Sequence, residues 1–187
     1  MNNHRSLVKR PRGFSLIEVM IALMVISVGL LGIAKMQALA MSNTQTAGSR
    51  ALAALEAASM ASAMHANPAY WAAGLAPASV TVSNSSTISH STLNAQNIDC
   101  SAGNCTPVQV AGYDLGANNT NPNGWGQNLS TLLPGGQGKI NCTTGVNAPI
   151  TCTITVSWNE KYIALNQGAV DATKQNARPS LVLMVQP

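Results

Sequence analysis

Charge and aromatic side chains are both scarce in this chain. Charged residues make up 9% of the 187 positions and aromatics 4%, with a single phenylalanine. So sparse a charge suits a subunit packed among neighbours better than a freely diffusing monomer. Acids are missing from Met1 to Gly13, where Arg5, Lys9, Arg10 and Arg12 stand. The net charge of +4 therefore belongs to that short basic segment, and the remainder is close to neutral. Composition thus offers no basic patch for nucleic acid, which is not expected as a partner. Proline is missing between Phe14 and Asn67, so nothing there breaks a helix. A glycine-rich phosphate loop and a Gly-x-Ser-x-Gly turn are missing too. The acids Glu56, Asp99, Asp114, Glu160 and Asp171 are scattered singly, and no catalytic constellation is announced. His65 and His90 have no acid or cysteine at ligand spacing and read as ordinary surface residues. The chain is expected not to be an enzyme and to hold neither metal nor cofactor.

What is present is one long apolar run. From Phe14 to Ala34 only Ser15, Glu18 and Ser27 are polar. As a helix, this length spans a hydrocarbon core of roughly 30 Å. Basic residues directly before an apolar span hold that end in the cytoplasm and send the rest of the chain outward. Glu18 is the anomaly, because an acid at a membrane helix centre costs about 2.5–3.5 kcal/mol and calls for a partner. A cut between Gly13 and Phe14 would supply one. The freed ammonium of Phe14 would lie one helical turn from Glu18, or would meet Glu18 of a neighbouring copy. A secretory signal peptide cut after Ala38-Leu39-Ala40 is the first competing reading. Its apolar region would exceed the usual span of about 7–15 residues and would contain a glutamate. A plain single-span anchor is the second, and an anchor has no use for an acid at this position.

The basic leader ending in Gly13, followed by Phe14-Ser15-Leu16-Ile17-Glu18 and an unbroken apolar helix, resembles the class III signal of type IV prepilins and type II secretion pseudopilins. The resemblance implies cleavage after Gly13 by a prepilin peptidase and N-methylation of Phe14 by the same enzyme. It implies that Glu18 pairs with a terminal amine during filament assembly.

Beyond the span, alanine is frequent and the helix is expected to continue from Phe14 to Ala66, about 80 Å at 1.5 Å per residue. Leu52, Leu55, Ala58, Ser59 and Ser62 recur at helical spacing and are read as the face carrying a packed domain. Asn67-Pro68 ends the helix. Gly29 and Gly32 weaken it locally, and such small residues also let membrane helices approach one another. Tyr70 to Cys100 contains no Lys, Arg or Glu, and the alternation around Val80 and Val82 hints at one strand.

Four cysteines follow, Cys100, Cys105, Cys142 and Cys152, which in an exported domain read as two disulfides with three possible connectivities. Closeness in sequence favours Cys100–Cys105 and Cys142–Cys152, the second closing a hairpin. A zinc site is the alternative, and the gaps between these cysteines fit finger spacing poorly. Thr106-Pro107 opens a short helix to about Leu115. Trp125, Leu129, Leu132 and Leu133 give another, ended by Pro134-Gly135-Gly136. Lys139–Cys142 and Ile150–Trp158 read as antiparallel strands, the second with strict alternation, and Ser180–Val185 as a last strand beside them.

Met64-His65-Ala66-Asn67-Pro68, Tyr113-Asp114-Leu115, Leu133-Pro134-Gly135-Gly136 and the strand Cys152-Thr153-Ile154-Thr155-Val156-Ser157-Trp158 are similar to the PilV-type minor pilins, the type IV pilus modification proteins. The expected fold is therefore the α+β type IV pilin fold. In it a long N-terminal helix, transmembrane in its first half, packs on a small antiparallel β-sheet with two disulfides. The expected organisation is a cleaved leader (1–13), a long helix (14–66, with 14–34 in the membrane) and a globular β domain (67–187). The resemblance implies a minor pilin that takes part in initiating and assembling the type IV pilus, the machine of twitching motility. Its implied partners are the prepilin peptidase, major and minor pilins, the inner-membrane assembly platform and the lipid bilayer. The implied location is the inner membrane, with the C-terminal domain periplasmic, and then the filament. Two alternatives on the same scaffold are a minor pseudopilin of type II secretion and a pilus-tip adhesin or DNA-uptake subunit.

Overall fold

The computed structural model describes residues 13–83, 87–96, 98–116, 121, 123–143, 149–160 and 178–187. The chain divides into two compact units, Met1–Ser42 and Asn43–Pro187. Helix α1, Leu16–Ala66, contributes to both. It opens where the carbonyl of Ser15 accepts the amides of Glu18 at 3.1 Å and Val19 at 3.3 Å. Described residues of the first unit consist of the start of this helix and the three residues before it. Its side chains are apolar on every side, as a helix surrounded by an apolar medium requires.

The second unit holds the whole buried core. After Ala66 the chain leaves the α region at Asn67, whose φ is −125°, and Pro68 starts the one-turn helix α2, Pro68–Trp71. Two strands follow, β1 (Ser79–Ser83) and β2 (Thr87–Ile88), then three helices, α3 (Ser91–Ala95), α4 (Pro107–Leu115) and α5 (Trp125–Leu132). Strands β3 (Gln137–Cys142), β4 (Cys152–Ser157) and β5 (Ser180–Val185) complete the order. The five strands form one sheet, β2-β1-β3-β4-β5, antiparallel throughout.

Period-two burial on β1, β3 and β4 turns Val80, Val82, Ile140, Ile154 and Val156 inward and leaves Thr81, Lys139 and Thr155 on the outer face. Register sets Val80 beside Ile140 and Ile140 beside Ile154. The inward row joins one apolar cluster with Ala53, Ala57, Met60 and Met64 of α1. That helical face corrects the sequence reading. Leu55, Ala58, Ser59 and Ser62 are exposed and Leu52 is half-buried, so the packed stripe is alanine and methionine rather than leucine and serine. Alanine brings the helix backbone close to the sheet, and unbranched methionine fills what remains.

Three contacts lock the helices to this core. The side-chain amide of Asn67 donates to the carbonyl of Pro107 at 2.8 Å, joining the end of α1 to the start of α4. The indole Nε1 of Trp125 donates to the buried carbonyl of Glu56 at 3.0 Å, joining α5 to α1. The same indole lies on Gly138 of β3, where any Cβ would collide with the ring. Helix α4 begins with a reciprocal cap: the Thr106 side chain accepts the Gln109 amide, and Gln109 Oε1 accepts the Thr106 amide at 2.8 Å.

Candidate functional site

The residues singled out at the N-terminus lie in a plain setting. Gly13, Phe14 and Ser15 precede α1, and all are exposed. A Cβ added at Gly13 would meet nothing within 4 Å, and its φ is not in the left-handed region. The described part of the fold therefore does not demand glycine there. Glu18 lies in the first turn of α1, where the positive end of the helix dipole favours an acid. Among the described residues its carboxylate has no hydrogen-bond or salt-bridge partner. Ser27 differs, since its hydroxyl donates to the carbonyl of Leu23 at 2.6 Å and is satisfied inside the helix. The large side chains from Phe14 to Ile33 are all exposed, and nothing in that stretch is buried. So continuous an apolar surface far exceeds what a soluble monomer leaves to water, and a helix of this length and composition is able to cross a membrane. Gly29 and Gly32 open onto empty space, leaving room for a neighbouring backbone.

The cysteines are joined as Cys100–Cys105 and Cys142–Cys152, and no free thiol remains. Cys142 and Cys152 are directly opposed in the β3–β4 ladder, so their bond staples the mouth of that hairpin. Among the described residues no group of three or more His, Cys, Asp or Glu could hold a metal ion. His65 is exposed near the end of α1, whereas His90 is half-buried with its Nδ1 shut away from solvent, so only the first is an ordinary surface residue.

The acids stay apart. Glu56 is buried on α1 with Oε2 unpartnered among the described residues, and burial raises its pKa. Asp114, half-buried on α4, is raised by burial to about 6. The exposed Asp99 is lowered, chiefly because the Ser101 amide donates to its carboxylate at 2.9 Å. Glu160 accepts from Arg50 at 3.2 Å, a contact worth about 0–1 kcal/mol because the arginine is mostly in water. These two residues flank a groove of about 660 Å³ lined by Gln45, Ser49, Leu52, Leu132 and Glu160, where no second acid or base faces the carboxylate. Asp171 lies outside the described residues.

Sequence reasoning missed Glu56, Asn67, Trp125 and Gly138 as structural residues. The signal for Glu56 was its place between Ala53, Ala57 and Met60 at helical spacing. The tryptophan–glycine contact joins two separate segments and left no local mark.

Residues 8–34 match the family described as the prokaryotic N-terminal methylation motif. No curated protein and no solved structure matches the chain. The motif supports a subunit of the type IV pilin or pseudopilin class and suggests a structural role rather than an enzymatic one. It implies processing by a prepilin peptidase and assembly with other pilins. Motif and apolar helix together fit a pilin anchored in the inner membrane.

Proposed function

We propose that this chain is a minor pilin of the PilV type, cut between Gly13 and Phe14, N-methylated on Phe14 and built into a type IV pilus during its initiation. One observation carries the reading. The first part of α1 is apolar all round and wholly exposed, and its one acid, Glu18, stands a turn from the Gly13–Phe14 junction inside the methylation motif. Such a helix needs a non-aqueous surrounding twice, first the bilayer and then the helices of neighbouring subunits. The second supplies what lipid cannot, a terminal ammonium opposite Glu18. Two charges brought together out of water attract far more strongly than in bulk solvent. An unpaired acid there is costly, so the pairing also disfavours a subunit set in the wrong register.

Gly13 fits the role of a recognition residue, because nothing in the described fold requires it. A branched side chain would obstruct a peptidase while leaving the helix intact. Mass spectrometry of the chain recovered from membranes tests the reading. The expected result is a mature N-terminus at N-methyl-Phe14, and an unprocessed precursor for Gly13→Val. A mature start at Met41, after Ala38-Leu39-Ala40, would overturn it. A minor pseudopilin of type II secretion would be processed identically. Recovery of the cleaved chain in sheared pili distinguishes the two.

A further inference from the structure

The sheet has two edges, β2 and β5, and they are unequal. Strand β2 has two residues, too few to template another strand. Strand β5 offers six, Ser-Leu-Val-Leu-Met-Val, without charge or proline. Its register against β4 is one-to-one from Ser157–Ser180 to Cys152–Val185, so no bulge turns the edge aside. Charges, prolines, bulges and shortness are the ordinary means by which proteins blunt an edge, and β5 has none of them. Among the described residues, no hydrogen bond reaches Ser180–Val185 from any element but β4.

The side chains are open on both faces as well. On the outer face Val182 and Met184 are 58% and 71% exposed. On the inner face Leu181 and Leu183 are only half-buried, while their partners in the β4 ladder, Val156 and Ile154, are fully buried. The core thus stops short at this margin, with apolar side chains above and below an unpaired row of amides and carbonyls.

The geometry points to a strand-docking site: the free margin of β5 takes an extended, uncharged segment of a different polypeptide as an additional strand of the sheet. Backbone donors and acceptors at strand spacing recognise only another extended backbone, which excludes lipid as the occupant. Alternate side chains of the incoming strand meet Leu181 and Leu183 on one face and Val182 and Met184 on the other, so apolar or threonine-like residues fit and charged ones do not. Arg178, the cation nearest this strand, is engaged with the carbonyl of Gly135 at 2.9 Å and does not select an acidic partner. A second copy of β5 is the poorer occupant. Two-fold pairing of an edge with itself reverses every direction lying along the sheet, including that of the α1 face packed on it. The two membrane helices would then run in opposite directions. That choice of partner rests on the membrane reading above; the docking site itself does not.

The test uses the full chain in detergent micelles and a fluorescein-labelled peptide of Thr151–Ser157 carrying Cys152→Ser, a sequence that already pairs with β5 on its other side. Saturable binding by anisotropy is expected. Val182→Lys with Met184→Lys, both at exposed positions, should weaken it at least ten-fold while the thermal midpoint stays unchanged. The same peptide N-methylated at every backbone nitrogen should not bind. Absence of saturable binding would overturn the proposal. So would equal binding of the N-methylated peptide, which would reduce the contact to apolar adhesion, or indifference to the lysine pair. Self-association of the chain abolished by the lysine pair would assign the edge to a second copy and overturn the choice of partner. Failure of Phe14 processing would leave every peptide result standing.

Discussion

Asp114 gives the clearest handle on the energetics of the second unit. Burial raises its carboxyl from 3.8 to about 6, so the folded chain holds a proton that the unfolded chain has already lost. The folded state therefore binds more protons than the unfolded one between these values, and stability falls as pH rises through that window. Below about 4 the penalty is absent, and above about 6 it is complete. A difference of about two units corresponds to about 3 kcal/mol, and partial exposure of the side chain reduces this to roughly 1–2 kcal/mol. Glu56 is shifted in the same direction by the same cause and adds to the slope. Asp99 is shifted the other way, so its contribution is lost only as pH falls below the ordinary carboxylate range. Asp114→Asn keeps the shape and removes the titration. It should stabilise the fragment Asn43–Pro187, which contains every residue of the buried core, by roughly 1–2 kcal/mol at pH 7 and by nearly nothing at pH 4. Urea denaturation read by fluorescence of the buried Trp71, Trp125 and Trp158 measures this across the window. If wild type and Asp114→Asn show the same pH slope between 4 and 6, burial of Asp114 is not what sets it and the reasoning fails.

Other perturbations test separate parts of the argument. Glu18→Ala should leave cleavage at Gly13 intact yet keep the processed chain in the membrane fraction. Recovery in sheared pili at the wild-type ratio, measured by immunoblot, would reduce Glu18 to a bystander. Cys152→Ser opens a bond between residues ten apart in sequence and should cost on the order of 2–3 kcal/mol by loop-closure entropy. An unchanged thermal midpoint of the fragment under oxidising conditions would contradict that. Gly138→Ala forces a methyl into the Trp125 ring and should destabilise by about 1–3 kcal/mol. Trp125 fluorescence should shift with it, and a silent substitution would mean that the indole does not rest on β3.

The sequence was most readable where one physical rule acted alone. An unbroken, alanine-rich stretch without proline announced α1, and strict alternation from Cys152 to Ser157 announced β4. Thr106 followed by Pro107 marked the start of α4 because cap chemistry is local. The packed face of α1 was not readable in the same way. Alanine supplies little contrast between its faces, so the leucines drew attention while the buried stripe lay at Ala53, Ala57, Met60 and Met64. Strand β1 was hinted at by two valines, but its place beside β3 rather than in a local hairpin depends on pairing across more than fifty residues. Helices α2 and α3 and strand β2 run for four, five and two residues, too short for any periodicity to develop. At the candidate site the matter was reversed. Gly13, Phe14 and Glu18 stood out in sequence because the fold gives them nothing to do.

No residue before Ala53 is buried, so the long helix changes its employment partway along. Its later turns are as much a part of the core as any strand, while its earlier turns contribute nothing to holding the domain shut. A subunit built this way can pass from one apolar solvent to another without refolding. Movement between a lipid reservoir and a polymer of like helices would be a change of surroundings for the front of α1 alone. The free energy of that exchange is set by Glu18 and the apolar side chains around it, independently of how stable the domain happens to be. Substitutions that strengthen or weaken the core should therefore alter the lifetime of the subunit without altering its partition between membrane and filament.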